Sequence, residues 1–169
     1  MSKLACFKEG SLILTDNGYI PVQDLRKGDL IKTLYKGFLP IFMIVCSEIE
    51  HHATNERIKE QLYKCSKEQY PEIVEDLILT GCHSILVDEF SSREEKAKVV
   101  EMNGGTVLCR TENKFRLPTC LDNRASVYEI TGKHKVYHFA LENDNYYSNY
   151  GIYANGLLVE TCSKLYLHP

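Results

Sequence analysis

Apolar positions in this chain fall into short runs separated by Gly, Pro, Asn and Asp. Ser11-Leu12-Ile13-Leu14-Thr15 reads as a buried strand, because a short apolar run bounded by turn residues fits a strand. Asp16-Asn17-Gly18 makes a turn, and residues 19–22 return as the second arm of a hairpin. Residues 23–28 form a short turn ending at Gly28, and residues 29–33 are the next strand. Residues 38–50, strongly apolar from Phe38 through Val45, predict one long strand. Residues 53–70 break the pattern. They are charged, and Ile58, Leu62, Tyr63 and Cys65 have the spacing of a short, mostly exposed helix. Residues 77–80 and 84–87 predict strands on either side of a turn, and residues 91–98 a charged loop or short helix. From Val99 on, strands alternate with turns and close with residues 136–142, 151–154 and 157–161. The pattern predicts an all-β fold with a short helical insertion. No internal repeat, low-complexity tract or linker stands out.

Composition narrows the function more than the fold. The 169 residues suit one domain, and 44% apolar with 25% charged residues is ordinary for a globular protein. A net charge of −3 implies no basic face, so nucleic acid is not an expected partner. No run of 18 apolar residues is present, so no membrane span is expected. Residues 1–5 are too short for a secretory signal and read as the stub of an upstream segment. The cysteines number seven, an odd count without a Cys-x-x-Cys pair. Neither a metal site nor a disulfide framework is therefore expected, and no cofactor is implied. The cysteines read as small buried hydrophobes plus one or two reactive thiols, in a monomer of a reducing, cytoplasmic compartment.

Three features carry chemistry. Cys6 is followed by Phe7 and by Gly10 before the first apolar strand. Thr80-Gly81-Cys82-His83 sits between two apolar strands. Tyr153-Ala154-Asn155-Gly156-Leu157-Leu158-Val159-Glu160-Thr161-Cys162 closes the chain. Alone, each has a plain structural reading: an inert cysteine, a turn histidine, a core strand. Their order changes that. Cys6 to Ser11 with Val22-Gln23-Asp24-Leu25-Arg26-Lys27-Gly28-Asp29 resembles the opening of hedgehog/intein (Hint) domains. Leu79 to Val87 resembles their Thr-x-x-His block, and Val136-Tyr137-His138-Phe139 with residues 153–159 resembles their closing strands. The resemblance covers residues 5–163, with residues 6–162 as the domain and 163–169 as a short tail.

The resemblance implies an all-β horseshoe with pseudo-twofold symmetry that brings both chain ends to one site. It also implies a reaction. Cys6 Sγ attacks the carbonyl of Ala5 and converts the Ala5–Cys6 amide into a thioester. His83 is placed as the acid for the leaving nitrogen, and Thr80 as the group that polarises the scissile bond. His138 stands where many inteins have Asp; it either assists proton transfer or is a half-buried strand histidine. Inteins end in His-Asn before a nucleophile, and the matching positions here are Glu160 and Thr161, followed by Cys162. Neither can form a succinimide, so splicing through asparagine is not expected. Cys162 can accept the acyl group, form a reversible disulfide, or pack.

The substrate is thus the chain's own upstream segment, and water or a small nucleophile takes the acyl group. Hedgehog proteins use a sterol delivered by a further region, which residues 163–169 are too few to supply. The acidic residue that hedgehog domains carry corresponds loosely to Glu48 or Glu50, beside His51 and His52, which read as a solvated strand end. The stretch between His83 and the closing strands is too short for a homing endonuclease. Two rival readings remain: a Hint fold that has lost activity and serves as a binding or capping module, and a cysteine protease acting in trans, for which the surrounding sequence offers no support.

Overall fold

The structure, a computed structural model, describes residues 5–167; Met1 to Leu4 of the expected upstream stub, and His168 and Pro169, lie outside the described residues. In chain order the strands are β1 (Phe7–Lys8), β2 (Leu12–Thr15), β3 (Gly18–Pro21), β4 (Leu30–Lys32), β5 (Phe38–His51), β6 (Leu62–Cys65), β7 (Leu77–Thr80) and β8 (Ser84–Val87). After the helix α1 (Arg93–Met102) come β9 (Arg110–Thr111), β10 (Lys114–Pro118), β11 (Ser126–Val127), β12 (Gly132–Leu141), β13 (Gly151–Ala154) and β14 (Leu157–Glu160).

The two longest strands organise the rest. β5 pairs antiparallel with β12 from His51↔Gly132 to Ile41↔Leu141, with an irregularity after Ala140. The first residues of β5 turn to β4 instead, with Pro40 opposite Leu30. One strand thus serves both arms of an all-β horseshoe. At the outer end of the pair the ladder is polar, with Lys133 opposite Glu50 and Lys135 opposite Glu48. Such cross-strand charge pairs hold an arm that has little apolar surface to bury.

The pseudo-twofold relation shows in two local copies. Pro21 ends β3 at φ −56 and ψ 136 and opens a 3-10 turn, Val22–Asp24. Pro118 ends β10 at φ −55 and ψ 135 and opens another, Thr119–Leu121. Each follows a hairpin, β2–β3 and β9–β10. The buried core draws on both halves, from Phe7, Ile13 and Ile31 to Phe139, Ile152 and Val159.

The helical insertion is not where the charge pattern placed it. Residues 53–70 form no helix; within them β6 pairs with β7 on one side and β11 on the other. Four apolar positions are too few to separate the two periods. Hydrogen bonds hold the preceding loop: Arg57 Nε donates to Cys120 O at 2.8 Å, and Tyr63 Oη to Ile58 O at 2.7 Å. The helix is α1, which begins at Arg93 within the charged stretch at 91–98 and runs past it to Met102. Ser92 caps it by accepting from Glu95 N, and Glu95 answers by accepting from Ser91 N at 2.7 Å. Cap and first-turn acids Glu94 and Glu95 offset the helix dipole.

One further reading changes. His51 is not at a solvated strand end: it is buried, its Nε2 2.6 Å from Tyr128 O, with Leu62 N donating to its Nδ1 at 3.1 Å. Asn155-Gly156 is the turn of the β13–β14 hairpin, both residues at positive φ. Asn155 is a structural clamp: its Oδ1 accepts from Leu12 N, and its Nδ2 donates to Glu75 O and Asp76 O. At the chain's far end Leu167 packs with Ala140 and Cys162, so the described part of the tail lies on the domain.

Candidate active site

Strand pairing gathers the site. β1 lies between β12 and β7, with Phe7 opposite both Tyr137 and Leu79. That register puts Cys6 beside the end of β7, where Thr80 N donates to Cys6 O at 3.2 Å. β14 lies beside β8, with Val159 opposite Ile85, so the closing strand comes past the turn that carries His83. That turn, Thr80 to His83, is closed by His83 N donating to Thr80 O at 3.0 Å. It lies flush against the 53–61 loop. A Cβ at Gly81 would sit 2.8 Å from the carbonyl oxygens of Ile58 and Lys59, so only glycine fits.

Cys6, Thr80 and His83 meet, as do Cys6 and His138. The Cys6 amide, the nitrogen of the Ala5–Cys6 bond, donates to Thr80 Oγ1 at 3.0 Å. Thr80 Oγ1 is also 3.5 Å from Cys6 O, so one hydroxyl spans the residue's backbone. His83 Nδ1 is 3.2 Å from Cys6 O, and His83 Nε2 is 2.7 Å from Glu160 O. The imidazole therefore contacts the carbonyl of Cys6, while the scissile nitrogen faces Thr80. Cys6 Sγ points to His138 Nδ1 at 3.7 Å. Cys162 engages the next residue of β12: its Sγ donates to Phe139 O at 3.2 Å, and its backbone bridges to Ala140. All seven cysteines are thiols.

The surroundings are dry. Burial pushes the Cys6 thiol up to about 12, with smaller contributions from Cys82 and Cys162. Burial likewise takes Cys162 to about 12. For His83 burial lowers the pKa to about 4, against the two carbonyls that favour its charged form. A neutral imidazole has one N–H and serves only one of Cys6 O and Glu160 O; an imidazolium serves both. His138 is lowered by burial, which keeps it an acceptor for the Cys6 thiol.

Two residues that were given no catalytic role from the sequence lie beside these groups. Glu160 is buried, raised by its burial, and paired with Arg116 Nε at 3.1 Å. Cys82, next to His83, has its Sγ 3.8 Å from Thr80 Oγ1. Its adjacency to Thr80 and His83 was the signal in the sequence; Glu160 gave none beyond its departure from His. Among the described residues no group of three His, Cys, Asp or Glu side chains is arranged to hold a metal ion, and no helix is long and apolar enough to cross a membrane.

A family profile described as the Hint domain matches residues 5–164. The chain belongs to the Hint domain family. A solved variant of the Ssp DnaB mini-intein superposes with a TM-score of 0.53 at 12% identity, over 96% of this chain and 97% of that one. A substituted gp41-1 intein gives a TM-score of 0.50 at 10% identity, over 92% and 98%. At such identities the likeness is one of fold. No curated protein matches the sequence significantly. Intein-like Hint domains are self-processing, and this Hint domain has their fold.

Proposed function

We propose that this Hint domain cleaves its own chain before Cys6, by an N–S acyl shift at the Ala5–Cys6 bond and without ordinary protein splicing. Cys6 Sγ attacks the Ala5 carbonyl carbon, the C–N bond breaks, and the acyl group passes to sulfur. The thiol proton goes to His138 Nδ1, 3.7 Å away, and is passed on to the departing nitrogen, so the proton that sulfur loses is the one the amine gains. The observation that carries the reading is the contact of the scissile nitrogen with Thr80 Oγ1 at 3.0 Å. The hydroxyl accepts from that N–H and keeps a partner for the amine as it forms. His83 holds the other side of Cys6 through its carbonyl and fixes the residue's orientation, which is a proximity effect.

Nothing at the closing strand supplies asparagine chemistry. Glu160 is paired with Arg116, and the Thr161 hydroxyl accepts from Tyr150 N at 3.1 Å. The thioester therefore ends by hydrolysis or by attack of a small nucleophile, and the substrate is the segment before Cys6.

The test is a fusion of a folded protein upstream of Ser2, followed by intact mass with and without dithiothreitol, beside Cys6→Ala and His83→Ala. Release at Ala5–Cys6 that thiol accelerates and that Cys6→Ala abolishes supports the reading. An unchanged mass over days, in a folded domain, leaves the inactive binding or capping module as the better account.

A further inference from the structure

The first thiol is enclosed, and a second thiol borders both its small void and a larger cavity. Cys6 is 1% exposed and lines a void of about 10 Å³ together with Thr80, Cys82 and Gln61. That volume admits at most about one water. Cys82, with Lys59 and Glu60, also lines a cavity of about 340 Å³, bounded further by Ser84, Cys109, Arg116 and Glu160. It is within the range of small-molecule sites, roughly 300–1,000 Å³. Cys82 lines both spaces. An acyl group on Cys6 has beside it a void with room for about one water; on Cys82 it faces the larger cavity.

We propose that Cys82 is an acyl relay: its thiol takes the acyl group from the Cys6 thioester and presents it to the acceptor in the outer cavity. The inference rests on the N–S shift argued above. Cys82 Sγ attacks the carbonyl carbon of the Cys6 thioester, forming a new C–S bond. The bond to Cys6 Sγ breaks, and the Cys82 proton ends on Cys6, which leaves as a thiol. No oxidant or other reagent is consumed. Thr80 Oγ1 marks the proton's path. It is 3.8 Å from Cys82 Sγ and 3.0 Å from the Cys6 nitrogen. Once the first step has run, that nitrogen is a free amine and a competent base, so the shift creates the base the relay needs. Water or a small amine in the outer cavity then attacks the Cys82 thioester. That attack releases the upstream segment as acid or amide, and Cys82 as thiol. The buried Glu160 carboxylate borders the same cavity and can accept the acceptor's proton.

The relay is tested with the full chain fused to a folded upstream protein, in wild type, Cys82→Ala and Cys82→Ser. Samples are quenched and unfolded in acid at intervals. Thioester is then read by hydroxylamine cleavage, and its position by alkylating the remaining thiols before peptide mass analysis. The relay predicts acyl groups on Cys82 in the wild type. It predicts accumulation of a Cys6 thioester in Cys82→Ala, with spontaneous release slowed at least about tenfold. In Cys82→Ser it predicts an oxygen ester at position 82, resistant to dithiothreitol and cleaved by hydroxylamine. That product shows transfer even if the alanine variant folds poorly. Acyl groups confined to Cys6 in the wild type, with release unchanged in both variants, overturn the relay and leave the N–S shift standing. A wild-type fusion with neither thioester nor cleavage overturns the shift itself, and the relay with it.

Discussion

The hydroxyl of Thr80 lies 3.0 Å from the nitrogen of Cys6 and accepts its hydrogen. It approaches that nitrogen more directly than His83, whose Nδ1 is 3.2 Å from the Cys6 carbonyl oxygen. In the proposed N–S shift, the group placed at the leaving nitrogen is Thr80. Thr80→Ala should slow thioester formation by about tenfold to a hundredfold, and Thr80→Ser, which keeps the hydroxyl, by much less. Hydroxylamine cleavage of acid-quenched fusions measures this. Equal rates for the two variants would assign the threonine to packing.

His83 titrates in a place that resists charge. Its pKa is lowered from 6.5 to about 4 by burial. Between those values the unfolded chain holds a proton that the folded chain does not, so stability falls as pH drops. The stability contributed by the neutral imidazole is complete above about pH 6.5 and is gone near pH 4; a shift of this size amounts to ~3 kcal/mol. Urea unfolding in a Cys6→Ala background, where cleavage cannot interfere, should show the loss, and adding His83→Gln should flatten it. His138, also lowered by burial, adds to the slope in both proteins, so the difference belongs to His83. Parallel slopes would mean that His83 is protonated well above pH 4.

The proposed attack by Cys6 needs a base because burial holds its thiol near 12. His138 Nδ1 at 3.7 Å is the group in position, and its lowered pKa leaves it neutral and able to accept at pH 7. His138→Ala should slow thioester formation by about a hundredfold, with the loss partly recovered as pH rises and thiolate forms without help. In the wild type the rate should fall in acid, as His138 itself takes up a proton. A His138→Ala rate within twofold of wild type at pH 7 would reduce the contact to packing.

How far these features could be read from the chain depends on what each residue faces. β2, β7, β8 and β13 stood out because apolar runs such as Leu77–Thr80 are bounded by turn residues and buried in the sheet. β12 was seen only from Val136 on, because Gly132 to Lys135 carry no apolar pattern; their strand is held by the charges of β5 across from them. The repeat went unseen because its two copies share geometry more than sequence: Pro21-Val22-Gln23-Asp24 against Pro118-Thr119-Cys120-Leu121. The candidate residues that meet, Cys6, Thr80, His83 and His138, were singled out through family likeness. Which atom each one meets was not. That His83 reaches the carbonyl of Cys6 while Thr80 takes its nitrogen follows from the pairing of β1 with β7, which no local spacing encodes.

Two glycines separate backbone strain from crowding. Gly18 and Gly156 both sit in hairpin turns at positive φ, +84 and +94. A side chain there is strained in either place, by about 1 kcal/mol. At Gly18 a Cβ would meet nothing within 4 Å, so Gly18→Ala should lose about that much and no more. At Gly156 a Cβ would collide with the carbonyl oxygen of Glu72. Here the hairpin is pressed against the 71–76 loop, which Asn155 clamps through Glu75 O and Asp76 O. Backbone cannot yield as a flexible side chain would, so Gly156→Ala should cost a further ~1–3 kcal/mol. Urea midpoints of the two variants in the Cys6→Ala background measure the gap. Closely matched midpoints would mean that the 71–76 loop moves aside freely, and that the clamp on the closing hairpin is weaker than its hydrogen bonds indicate.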